Sequence, residues 1–381
     1  MADDGGDSTL RHETRLIQAG RLQARLCHEH GSPTYGTIVD DLVDTLERGD
    51  GSEVHQLLLS DDRDAVGSAL YLRLLGAVHR LVLLDADCPL RRWYPSVGGT
   101  VDPQRAAAEL PGVVAGNHTW VEREMRRDVQ TNDVGRIAPL SAAMRHAVHE
   151  FGGPPVQLLE PGTSAGLNLW PDRYGVEVDG RWMGPEDSAL TLCGRFVEGH
   201  PPTDPLLVDG RRGCDLHPIA IAKEEDRALL RSFVWTDDTQ RLSRLDGALA
   251  TAGPVEIDEQ DACEWLSSRL QELPDDTTTI VFHSLLLTYL SNDQRIRFAQ
   301  LIRSAGATAD GRHRLAWISL EPRHDDLDVA LVCELWPGGH RTQLARCSPH
   351  GAGVRWRPKP LGRDRSEAVV EDSTPVDVVP R

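Results

Sequence analysis

The sequence predicts an α/β protein in which an α-helical N-terminal domain precedes a mostly parallel sheet that ends in a reversed β-hairpin. Three observations predict it. Residues 10–150 carry apolar side chains at three- and four-residue spacing, with no convincing alternation of period two. From 156 to 320, short β-branched runs alternate with helical stretches, as in strands joined by crossover helices. Between these regions, residues 156–170 run from an apolar segment ending in an acid, through a glycine turn, into an apolar segment of helical character. Strand, loop and helix in that order open a nucleotide-type site in a doubly wound sheet.

Taken in order, residues 1–9 are acidic and glycine-containing and are expected to be disordered. Helices are expected over 10–30, 36–48, 54–59 and 64–85, with breaks at Ser32-Pro33 and Asp50-Gly51, and then over 103–110, 118–129 and 140–150. The polar run 130–136 (Gln-Thr-Asn-Asp-Val-Gly-Arg) reads as a helix cap and connecting loop. Alternation around Asp179-Gly180 marks a β-hairpin, inserted near 174–198. Further helices are expected over 224–234, 238–252 and from 259 onward, with a short strand at 255–257. Buried strands follow at 278–284 and 315–320, separated by a helix over 292–304 that Ser291 or Asn292 can cap. Residues 329–336 and 341–347 form the terminal hairpin, and 358–381 a disordered tail. The expected domains are therefore 10–150 and 151–357.

Composition narrows the function classes. Apolar residues make up 40% of the 381, enough for a sizeable core, and no run approaches the ~20 apolar residues of a membrane span. The most apolar segment, 69–84, carries Arg73, His79 and Arg80. No export signal is visible at the start, so a cytoplasmic location is expected. Seven cysteines, odd in number and never spaced C-x-x-C, suit reduced buried thiols rather than a disulfide frame or zinc site. A formal charge of −18 disfavours broad nucleic-acid binding and favours small molecules or cationic partners.

The turn at 160–166 (Glu-Pro-Gly-Thr-Ser-Ala-Gly) admits three chemistries. A dinucleotide fingerprint would need glycines at 162, 164 and 167, where the chain has Gly162, Ser164 and Leu167, and no Gly-Lys-Ser/Thr follows to make a P-loop. Glu160 at the strand tip would also repel a pyrophosphate while attracting the ammonium or hydroxyls of a ligand without phosphate. S-adenosylmethionine is such a ligand. The third chemistry reads Gly162-Thr163-Ser164-Ala165-Gly166 as G-x-S-x-G, the nucleophile elbow of α/β-hydrolases.

Three motifs together, 130–136, 158–168 (Leu-Leu-Glu-Pro-Gly-Thr-Ser-Ala-Gly-Leu-Asn) and 281–284 (Val-Phe-His-Ser), resemble an uncharacterised prokaryotic family, a domain of unknown function. The second half is similar in plan to class I S-adenosylmethionine-dependent methyltransferases. This resemblance implies a Rossmann-like sheet, S-adenosylmethionine as cofactor, and a small-molecule methyl acceptor modified at oxygen or nitrogen. Position by position, it places Glu160, Gly162, Thr163, Ser164 and Gly166 in the loop around the cofactor's methionine part, with Ser164 standing where the family pattern has a glycine. It gives Asp215 to the ribose hydroxyls, although 215 − 166 = 49 residues separate it from Gly166, against a usual interval of ~20. Glu177 or Asp179 is the fallback. Asp261 and Ala262 match the adenine-contacting pair.

For the acceptor, Gln130, Asn132 and Arg136 supply two amides and a fixed cation, which suits a carboxylate or phosphate held between the helical domain and the strand ends. His283 falls where the substrate-facing loop begins, as a general base or as a satisfied core histidine. Asp215 and Asp261 have an equally plain reading as helix caps. The hydrolase reading takes Ser164 as nucleophile, Asp261 as acid and His283, His313, His324 or His340 as base; it lacks an upstream His-Gly-Gly-Gly motif and the parallel strands that normally precede an elbow. A non-catalytic nucleoside-binding module is the third alternative.

Overall fold

A computed structural model describes residues 4–323 and 328–362. Its helices are α1 Asp4–Glu29, α2 Pro33–Glu47, α3 Glu53–Ser60, α4 Leu70–Leu84, α5 Pro103–Gly116, α6 His118–Met125, α7 Ile137–Glu150, α8 Glu224–Ser232, α9 Thr239–Thr251, α10 Ala262–Arg269 and α11 Asn292–Ala307. The strands are β1 Val156–Pro161, β2 Gly175–Val178, β3 Arg181–Met183, β4 Thr191–Leu192, β5 Phe196–Glu198, β6 Val208–Asp215, β7 Glu256–Glu259, β8 Thr277–Ser284, β9 His313–Pro322, β10 Val329–Trp336, β11 His340–Cys347 and β12 Val354–Pro360. Helix α1 opens at Asp4, so residues 4–9 are helical and not disordered. Residues 1–3 and the tail from 363, where disorder was also expected, lie outside the described residues, as does His324. No helix among the described residues is long and apolar enough to cross a membrane.

The described chain divides into two units, 4–131 with 221–243, and 132–220 with 244–362. The boundary expected at 150 therefore lies at 131, and α8 returns to the first unit.

The first unit is helical around α4, of which thirteen residues from Leu70 to Val82 are buried. Arg73, His79 and Arg80 on α4 survive burial because each has a polar partner. Arg73 donates to Asp61 at 2.8 Å and to the Ser68 carbonyl at 2.8 Å, Arg80 pairs with Glu124, and His79 bonds Ser96 Oγ at 2.7 Å. Desolvation nevertheless lowers the His79 pKa to about 4, so the ring is neutral at pH 7. The returning segment closes this unit: Asp237 accepts from Ser32 Oγ at 2.6 Å, from Thr34 Oγ1 at 2.7 Å and from the Thr34 amide at 3.1 Å.

The second unit holds a nine-stranded sheet, β5-β12-β11-β10-β9-β8-β1-β6-β7, and a three-stranded sheet, β3-β2-β4. Strands β7, β6, β1, β8 and β9 run parallel, whereas β10, β11 and β12 form an antiparallel meander. The expected terminal hairpin is β10–β11; β12 adds a further antiparallel strand and takes in residues 358–360 of the expected tail, because the alternation at Val354–Arg357 is short and Pro358 and Pro360, which read against a strand, are tolerated in it. Helices α10 and α11 cover one face through Leu159, Cys214, Val281, Trp265 and Phe298, while α7 packs on β8, β9, β10 and β11. Chain order reverses at β1, between β6 and β8, which is where open α/β sheets leave a crevice beyond the carboxyl ends of their strands.

The segment after the glycine turn departs from expectation. It makes only a three-residue 3-10 turn, Leu167–Leu169, because Trp170-Pro171 follows and proline has no amide to continue a helix. The hairpin β2–β3 then supplies the small sheet as an insertion between β1 and β6.

Candidate functional site

Glu160 stands at the tip of β1, where a buried parallel strand otherwise selects apolar residues. It is 3% exposed, and Thr163 Oγ1 donates to its Oε2 at 2.5 Å. Burial raises its pKa to about 8, opposed by hydrogen bonds from Thr163 and Asn168 and by the charge of Arg136, and reinforced by the charge of Asp215. The carboxyl group is therefore largely protonated near neutral pH. Beside it Asn168, 1% exposed, keeps a buried Oδ1 with no hydrogen-bond partner among the described residues.

The turn itself is held by its neighbours. Gly162, Ser164 and Gly166 all have left-handed backbone, with φ of 71°, 54° and 71°. The first and last suit glycine, whereas Ser164 takes a conformation that side chains other than glycine rarely adopt. Amides of Gly162 and Thr163 donate to the Cys214 carbonyl at 2.8 and 3.0 Å, and the Ser164 amide donates to Asp215 Oδ2 at 2.8 Å. Asp215 ends β6 and also accepts from the His217 amide through Oδ1 at 2.9 Å. The fallback acids are elsewhere: Glu177 accepts from the Gly180 amide inside the hairpin turn, and Asp179 pairs with His200.

Asp261 caps α10, its Oδ1 accepting from the amides of Cys263 and Glu264, with Ala262 buried at the first helical position. It follows β7, so Glu160, Asp215 and Asp261 stand at the carboxyl ends of the adjacent strands β1, β6 and β7.

Asn132 and Arg136 lie beside this loop, but their polar atoms are engaged. Asn132 Oδ1 accepts from the Leu167 amide at 3.0 Å and its Nδ2 donates to the Thr163 carbonyl at 3.4 Å, bracing both ends of the turn. Arg136, 6% exposed, donates through Nε to the Pro349 carbonyl at 2.9 Å and through Nη1 to Ser284 Oγ at 3.4 Å. This is a framework cation, which removes the reason to expect an anionic acceptor. Gln130 belongs to the helical unit.

His283 is the satisfied core histidine of the two readings given above. It is fully buried, its Nδ1 lies 2.7 Å from Glu321 Oε1, its Nε2 accepts from Trp317 Nε1 at 3.0 Å, and its ring meets Phe298 edge-on. With both nitrogens engaged it is no free base for a substrate. For the hydrolase arrangement, His313 and His340 begin β9 and β11, at the opposite end of the sheet from the turn, and the helix that should follow an elbow is missing.

Glu321 was missed, and a signal for it existed. Leu320-Glu321-Pro322 repeats Leu159-Glu160-Pro161, an acid and proline closing an apolar strand. The family described as "uncharacterized protein conserved in bacteria (DUF2332)" matches residues 18–356. The chain belongs to that family. No curated protein and no solved structure matches the chain.

Proposed function

We propose that the second unit is a Rossmann-like domain that binds S-adenosylmethionine at the carboxyl ends of β1, β6 and β7 and transfers its methyl group to an oxygen or nitrogen of a small molecule. The observation that carries this reading is the placement of three acids, Glu160, Asp215 and Asp261, at the ends of three adjacent parallel strands, with a left-handed turn between the first two. That is the spatial order the methyltransferase resemblance requires.

The residues fit the cofactor. The orphaned Oδ1 of Asn168 and the carboxyl group of Glu160 are acceptors for an ammonium. Asp215 would take ribose hydroxyls through lone pairs not used by the two backbone amides, and Asp261 with Ala262 would border the adenine. When bound, the cofactor supplies a methyl group already attached to a sulfonium leaving group. Asn132 fixes the turn that orients it, and Leu286 closes over Gly162, where an added Cβ would stand 2.6 Å from Leu286 Cδ1. Positioning is the main task of such a site, because an in-line displacement gains most from holding the reacting atoms in place.

Calorimetry tests the reading. S-adenosylmethionine and S-adenosylhomocysteine should bind the folded protein and NAD should not; no heat with either S-adenosyl ligand overturns it.

A further inference from the structure

We infer that Glu321 is the receptor for an amine, so that the methyl acceptor binds through a protonated nitrogen. The inference rests on the proposed methyl transfer for the word acceptor, and on Glu321 alone for the chemistry.

Glu321 is the penultimate residue of β9 and is 5% exposed. One oxygen is saturated. Oε1 accepts from His283 Nδ1 at 2.7 Å and from the amides of Leu286 and Leu287 at 2.9 and 3.4 Å. The other, Oε2, is buried and has no hydrogen-bond partner among the described residues. A buried polar atom left unmatched forfeits its hydration without compensation, the more so when charged, so such an atom calls for a donor. No arginine or lysine pairs with Glu321 among the described residues; its one ion-pair partner is His283, whose second nitrogen is already held by Trp317.

Ser284 ends β8, and Leu285 next to it has left-handed backbone at φ 55°, a strained conformation for leucine. The bonds to Glu321 hold the turn that follows. Leu286 therefore links two places: its amide meets Glu321 and its side chain meets Gly162 of the proposed cofactor turn. Partly buried Leu285, Leu287 and Leu290 surround the carboxylate's turn with apolar surface, and Tyr289 stands exposed on it. The arginines that reach this turn bond to other acceptors, Arg136 to Ser284 Oγ and Arg295 to the Leu287 carbonyl at 2.7 Å, so a carboxyl oxygen with no cation paired to it selects a ligand that brings hydrogen and positive charge together.

Benzylamine, benzyl alcohol and benzoate are probes of one shape and three chemistries. Calorimetry and thermal shift with saturating S-adenosylhomocysteine should show benzylamine binding at millimolar strength, at least tenfold more tightly than the alcohol, with no response to benzoate. Glu321→Gln should lose benzylamine at least tenfold and keep its affinity for S-adenosylhomocysteine. Equal binding of amine and alcohol by the unaltered protein, a preference for benzoate, or a folded Glu321→Gln variant that still binds benzylamine overturns the inference. Benzylamine binding that S-adenosylhomocysteine abolishes overturns the acceptor assignment. The series repeated without S-adenosylhomocysteine separates the two proposals: Glu321-dependent amine binding in a protein with no S-adenosyl affinity keeps the amine receptor and removes methyl transfer. The probe comparison on the unaltered protein decides the matter even if Glu321→Gln does not fold.

Discussion

The backbone amide of Ser164 donates to Oδ2 of Asp215 across 2.8 Å, which ties the turn after β1 to the end of the strand beside it. Asp215 thus holds the turn, and on the function proposed above its remaining lone pairs take the ribose hydroxyls. Asp215→Ala should weaken S-adenosylhomocysteine binding at least tenfold and lower stability by about 1–3 kcal/mol, since two amides lose their acceptor. Calorimetry read beside urea denaturation checks both; unchanged affinity would assign Asp215 to the turn only.

Glu160 makes stability depend on pH. Its folded-state pKa of about 8 lies above the ordinary 4.5, so the unfolded chain ionises first as pH rises. Stability from this group is fully present below about 4.5 and falls through the window up to about 8, by at most ~1.4 kcal/mol per pH unit. Glu160→Gln should flatten that part of the profile, measured by urea denaturation between pH 5 and 8. An ammonium bound beside Glu160 favours its ionised form, so S-adenosylhomocysteine binding near pH 7 should release a fraction of a proton, seen as a buffer-dependent heat.

Ser164 adopts a conformation suited to glycine. Ser164→Gly should be neutral or stabilising by up to about 1 kcal/mol, because relief of left-handed strain offsets the added freedom of the unfolded chain. S-adenosylhomocysteine affinity should stay within threefold. A fluorophosphonate probe should leave Ser164 unlabelled, and a labelled Ser164 peptide in mass spectrometry would favour the hydrolase instead.

Asn132 serves the turn at both ends. Asn132→Ala should cost about 1–2 kcal/mol and reduce S-adenosylhomocysteine affinity, while Asn132→Asp, which keeps an acceptor for the Leu167 amide, should recover part of the loss. Equal effects of the two substitutions would show that the Leu167 bond is not what matters.

Much of this architecture was legible because its signals are local. The helices up to 150, the hairpin at Asp179-Gly180 and the buried strands β8 and β9 all follow from spacing and turn residues within a few positions. What was not legible depends on distant partners. The left-handed backbone of Ser164 is set by bonds to residues about 50 positions away, and His283 is engaged by Trp317 and Glu321, 34 and 38 positions on. The missing helix after Gly166 was a conflict between an apolar run and Trp170-Pro171, and proline won. Asn132 and Arg136 were noticed as polar residues in a loop, but composition does not tell a brace from a substrate contact.

The helical unit is interrupted in sequence: α8 and Asp237, which complete it, come after the whole segment 132–220. During synthesis α1 to α6 therefore emerge without the partner that receives Ser32 and Thr34 and without the Ser232 carbonyl that meets His79. At roughly 5–20 residues per second, the ribosome leaves this half-built bundle waiting several seconds with apolar surface exposed. A nascent chain released before residue 232 should then be protease-sensitive and prone to aggregate, although its first 131 residues are all present.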